Sequence, residues 1–75
     1  MLNIVLVDDE NDALEALEWK LNTYISNVHI TKCDSPIKSI EIIDKLMPDV
    51  VFLEIQMPEM DGFTMLENLT FKKFN

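Results

Sequence analysis

Apolar and polar positions along the chain follow two alternating periods. Asn3-Ile4-Val5-Leu6-Val7 and Val50-Val51-Phe52-Leu53 are short, nearly continuous apolar runs, the pattern of strands buried on both faces inside a parallel sheet. Val28 to Cys33, between these two in sequence, is the second strand, of mixed patterning as at a sheet edge. Between the strands the spacing turns helical. Leu14, Leu17, Leu21 and Ile25 form the stripe of a helix running to about Tyr24, with Ala13 and Ala16 allowing close approach to the sheet. Asn11 or Asp12 caps it, Asp12 and Glu15 fit the reciprocal capping pattern, and Ser26-Asn27 ends it. A second helix opens on Asp34-Ser35-Pro36, with Ser35 as cap and Pro36 at the first helical position. Ile37, Ile40, Ile43, Leu46 and Met47 supply its apolar positions, and Pro48 prevents its continuation. Met57-Pro58 stops the third strand, Asp61-Gly62 signals a turn, and a third helix follows. Phe63, Leu66 and Leu69 share one face of that helix, with Met65 at its flank.

Strand and helix alternating three times predict an α/β fold of parallel βαβ units with right-handed crossovers. Seventy-five residues make one domain at most, with a marginal core. The chain shows no internal repeat, low-complexity segment or linker.

Composition narrows the function classes. Fourteen acids against six bases give a net charge of −8, which argues against direct nucleic-acid binding. The single Cys33 cannot form an internal disulfide, fits a reducing compartment and reads as a small buried hydrophobe. His29 reads as a surface residue. No apolar run is long enough to span a membrane and no basic segment precedes the first one, so a cytoplasmic location is expected. One glycine, Gly62, rules out a glycine-rich phosphate cradle. No nucleophile–base pair is evident, and an independent enzyme is the least expected class.

The strand ends carry the chemistry. The first apolar run ends in Asp8-Asp9-Glu10 and the third in Glu54. Open α/β sheets bind ligands at the carboxyl ends of their strands. If these two strands are parallel neighbours, Asp8, Asp9 and Glu54 converge. A divalent cation would relieve their mutual repulsion, and oxygen-only donors on short loops suit Mg²⁺.

Val7-Asp8-Asp9-Glu10 and Phe52-Leu53-Glu54-Ile55-Gln56-Met57-Pro58-Glu59-Met60-Asp61-Gly62 resemble the receiver domain of two-component response regulators. The second stretch is highly specific. The wording around Asp8 and Met57 is closest to regulators with a LytTR-type DNA-binding output. The resemblance runs over residues 1–75 and covers three of the family's five β-α units, so the chain reads as a partial receiver domain. It implies the first part of a flavodoxin-like doubly wound sheet, with strand order 2-1-3. It also implies Mg²⁺, bound weakly by Asp9 directly, by Asp8 largely through water and by the backbone carbonyl of Gln56. Glu54 stands at the phospho-acceptor position, and a sensor histidine kinase is the implied partner.

Two departures from the family pattern matter. The family's acceptor is an aspartate, and here it is Glu54, so phosphotransfer is expected to be poor or absent. The longer acid could instead mimic the phosphorylated state by carrying charge closer to the phosphoryl position. The plain alternative is an acid at a strand end facing water. The family's switch Ser or Thr after the fourth strand and Lys after the fifth have no counterpart among these residues. Two function classes therefore stay open: a receiver-derived signalling module, and a half-domain that self-associates. For the second, Val50, Val51, Phe52 and Leu53 form an apolar edge with unpaired backbone groups. That edge predicts a two-fold dimer with the sheet order 2-1-3-3′-1′-2′.

Overall fold

A computed structural model describes residues 1–75. Its elements follow in the order β1 (Leu2–Val7), α1 (Asn11–Tyr24), β2 (Val28–Cys33), α2 (Pro36–Leu46), β3 (Val50–Leu53) and α3 (Gly62–Glu67). The strands make one parallel sheet in the order β2-β1-β3. In register, Leu2 pairs with Val28 through to Val7 with Cys33, and Ile4 pairs with Val50 through to Val7 with Leu53.

Side chains of a strand alternate between its faces, and β1 shows how both faces are buried. Val5 and Val7 enter a cluster with Cys33, Ile43, Met57, Met65 and Leu69 under α2 and α3. Ile4 and Leu6 enter a second cluster with Leu14, flanked by Leu17 and Leu21, under α1. The fully buried strand is thus β1, whose Ile4 to Val7 are at most 2% exposed. The third strand was expected to be buried on both faces and is instead half-buried, with Phe52 39% exposed. It borders β1 on one side only.

The helices correct the apolar stripes. In α1, Leu14 is buried and Leu17 and Leu21 are half-buried, while Ala13, Ala16 and Ile25 are exposed. Glu10 holds the cap position and no side chain caps the helix, so neither Asn11 nor Asp12 has that role. In α2, Ser35 is the cap and Pro36 the first residue, as the sequence predicts. Its inner line is Pro36, Ser39 and Ile43, whereas Ile37, Leu46 and Met47 are exposed. Ser39 escapes a hydropathy stripe because it is polar. Its hydroxyl is buried within reach of the Pro36 carbonyl (2.7 Å) and the Met65 sulfur (2.9 Å). In α3 the inward residue is Met65, fully buried, and Phe63 is 64% exposed.

The outer edge of β3 is not bare. Asn75 donates its N–H to the carbonyl of Asp49 (3.0 Å) and accepts from the N–H of Val51 (2.7 Å). This corrects the expectation that the backbone of Val50 to Leu53 is unpaired along that edge. Leu53 lies two residues beyond Val51, so its backbone faces the same side by the period of the strand.

Candidate functional site

Backbone hydrogen bonds tie the three strand ends together. Asp8 donates its N–H to the carbonyl of Cys33 (3.1 Å), and Glu54 donates its N–H to the carbonyl of Val7 (3.0 Å). The register that pairs Val7 with Leu53 therefore carries on to set Asp8 beside Glu54. Asp8 is half-buried, and its Oδ1 accepts the N–H of Glu10 (3.0 Å), turning the chain from β1 into α1.

Asp8, Asp9, Glu10, Glu54 and Gln56 line one hollow of about 260 Å³ at the carboxyl edge of the sheet. Every residue expected at the cation site is there, and Glu10 joins them. No basic or apolar side chain lines the hollow. Glu10 was legible as part of the acidic run, but nothing in that run showed that it would turn toward this opening. No three acidic, histidine or cysteine side chains converge closely enough to enclose an ion by themselves. The donor chemistry still fits Mg²⁺, which takes one or two carboxylates and keeps several waters.

The loop from Ile55 to Asp61 is closed at its base by Gly62, whose N–H donates to the carbonyl of Ile55 (2.8 Å). Space makes glycine necessary there. A Cβ on Gly62 would lie 2.8 Å from the carbonyl oxygen of Glu54 and 3.1 Å from the Cα of Ile55. Asp61 caps α3, its Oδ1 accepting the N–H of Thr64 (2.8 Å). Met57 is buried, so the loop is also anchored in the core.

Two ionisable groups near the site have shifted acidities. A hydrogen bond to Glu18 raises the Lys32 ammonium, against some desolvation, and the charges of Glu18 and Glu15 add to the rise. Burial pushes the Cys33 thiol up, with a smaller push from the charge of Asp34. Neither residue lines the acidic hollow.

A parallel sheet in the order β2-β1-β3, with an acidic hollow at its carboxyl edge between the ends of β1 and β3, is a flavodoxin-like α/β arrangement. The chain belongs to the response regulator receiver domain family, whose model matches residues 4–74. It is 39% identical over 69 residues to an uncharacterized response regulatory protein of Yersinia pestis, which covers 92% of this chain and 29% of the relative. It is 36% identical over 66 residues to the transcriptional regulatory protein BtsR of Escherichia coli K12, covering 88% of this chain and 28% of that protein. Among solved structures, a two component transcriptional regulator AraC from Clostridium phytofermentans superposes with a TM-score of 0.78 at 32% identity, over 91% of this chain and 56% of that one. The response regulator domain of Thermotoga maritima CheB shares the fold, with a TM-score of 0.84 at 18% identity, over 99% of this chain and 56% of that one. The chain thus spans less than a third of the length of these curated relatives. No helix is long and apolar enough to cross a membrane.

Proposed function

We propose that the chain is a receiver module that engages a sensor histidine kinase but accepts a phosphoryl group poorly or not at all. The observation that carries this reading is the position of Glu54. Its backbone is fixed at the end of β3 by the bond to Val7, so its carboxylate sits one methylene further out than an aspartate's would. In acceptance, a carboxylate oxygen bonds to phosphorus as the phosphorus–nitrogen bond of a phosphohistidine breaks, leaving an acyl phosphate and a free imidazole. Misplacement of the attacking oxygen by about 1 Å costs on the order of 100-fold in rate.

Asp9 would hold a hydrated Mg²⁺ directly, Asp8 largely through water and Gln56 through its carbonyl. The cation would supply charge neutralisation for the phosphoryl oxygens. The protein residues supply placement. Asp8 is oriented by its bond to Glu10, and Glu54 by the strand end. With a net charge of −8, the chain makes no direct contact with nucleic acid in this reading.

The test compares the parent chain with Glu54→Asp, each treated with acetyl phosphate and Mg²⁺ and followed by intact mass. The expected result is an unmodified parent and a labelled variant. Equal labelling of the two would overturn the reading.

Association of two copies along β3 is a second reading, favoured by the exposure of Phe52 and by the backbone of Leu53, which makes no hydrogen bond on its outer side. Asn75 occupies the first part of that edge, so the available contact is short.

A further inference from the structure

We propose that Ser35 and Glu59 are a positioning pair for the acidic hollow, holding the β3–α3 loop so that the carbonyl of Gln56 is set toward a bound cation. The inference rests on the cation-binding reading above. The hydroxyl of Ser35 donates to Oε1 of Glu59 (3.0 Å). The Ser35 Oγ also accepts the N–H of Lys38 (3.3 Å) as the cap of α2. A hydroxyl has one proton to give and two lone pairs, so both bonds form together. One atom therefore caps α2 and clamps the loop that follows β3. The loops it joins leave the two outer strands of the sheet, β2 and β3.

Three fastenings hold residues 55–61. The bond from Gly62 to Ile55 closes the base, buried Met57 anchors the middle, and Glu59 is tied at the tip. Gln56 lies between the first fastening and the second, on the exposed side of the loop. Glu59 does not line the hollow. By direct ligation it contributes nothing there, and its hydrogen bond acts on Gln56 through the loop. Groups that orient metal ligands from outside the ligand set commonly matter about tenfold or more in affinity.

The experiment uses the whole chain with Glu59→Ala, Glu59→Gln, Ser35→Ala and the double variant of Ser35→Ala with Glu59→Ala. Amide exchange across residues 55–60 is measured without metal. Mn²⁺ affinity is then measured from the paramagnetic broadening of residues 8, 9 and 54. Glu59→Ala is expected to speed exchange in the loop and to weaken Mn²⁺ binding about tenfold. Glu59→Gln keeps an acceptor oxygen for Ser35 while removing the charge, and it is expected to retain both properties. The double variant should bind Mn²⁺ no more weakly than Glu59→Ala does. Equal weakening by Glu59→Gln and Glu59→Ala would show that charge, not the hydrogen bond, matters, and would overturn the proposal. So would unchanged loop exchange and affinity in Glu59→Ala when the parent binds Mn²⁺. A parent chain that shows no broadening at residues 8, 9 and 54 would overturn the cation reading itself, and the pair's role toward it.

Discussion

Val51 and Asn75 meet across the outer side of β3, the N–H of the first donating to the carbonyl of the second over 2.7 Å. With the bond from Asn75 to Asp49, this is the pattern of a parallel bridge centred on Val50. Asp44 prepares that meeting. Its Oδ1 accepts the N–H groups of Thr70 and Phe71, each at 2.9 Å, and so fixes the turn after α3. Phe71 and Phe74 then lie against the core with ring centroids 6.1 Å apart. Asp44→Ala leaves both N–H groups to water and should cost about 1–2 kcal/mol in denaturant unfolding. It should also loosen the tail from β3. Sedimentation equilibrium is then expected to show more association for the variant than for the parent, since a freed strand edge invites pairing. Association equal to the parent's, or none in either, would count against β3 as a contact between copies.

Gly62 tests how tightly the loop must pass beneath the strand end. Its replacement by alanine puts a methyl carbon 2.8 Å from the carbonyl oxygen of Glu54, against backbone that has little room to yield. Gly62→Ala is expected to lose about 1–3 kcal/mol, the usual cost of overpacking. The backbone dihedrals of Gly62 need no glycine, because its φ is not positive. The effect should therefore scale with side-chain size, Gly62→Ser costing at least as much as Gly62→Ala. A neutral Gly62→Ala would show that the strand end shifts freely, and would weaken the argument that Glu54 is held in place.

Much of this was legible in the sequence. The three strands, the Ser35 cap and the C-terminal ends of α1 and α2 follow from period and punctuation, which are local. The strand order came from family resemblance, because parallel pairing is set by crossovers that periodicity does not encode. The inner faces of α2 and α3 were harder. In both, the line toward the sheet passes through a residue that hydropathy underrates, Ser39 in α2 and Gly62 in α3. A stripe of large apolar residues therefore points about one residue away from the true face. In the candidate site, the acids at 8, 9 and 54 were readable because each closes an apolar run. The Ser35–Glu59 bond was not, since the two residues are 24 apart and meet only once the strands are in order.

Met65 and Phe63 give the sharpest test of the α3 face. Met65 is fully buried between Ser39 and the Val5–Ile43 cluster, whereas Phe63 is 64% exposed. Met65→Ala is expected to destabilise the chain by about 2–5 kcal/mol, since it empties a core site. Phe63→Ala should fall within about 0.5 kcal/mol, as for an exposed position away from special features. Urea unfolding of both variants separates the two faces. A larger loss at Phe63 than at Met65 would reverse the orientation of the helix.

Cys33 gives a pH signature. Burial favours its neutral thiol, so the folded chain holds that proton to higher pH than the unfolded chain, whose thiol ionises at about 8.5. The sign follows from proton counting. Between the unfolded and folded pKa values the unfolded state binds fewer protons, so stability falls as pH rises. Below the unfolded value the thiol contribution is fully present. For a single thiol the slope is at most about 1.4 kcal/mol per pH unit. The ammonium of Lys32, also raised, begins to act only above its unfolded value of about 10.4, which leaves the interval between the two for Cys33. Urea unfolding of the parent and of Cys33→Ala at pH values from about 7 to 10 should therefore give curves that converge as pH rises. The variant loses some packing at every pH and none of the thiol-linked slope. A thiol reagent should label Cys33 only as fast as the chain opens. Parallel stability curves together with rapid labelling would place Cys33 in contact with solvent and remove the burial on which the shift depends.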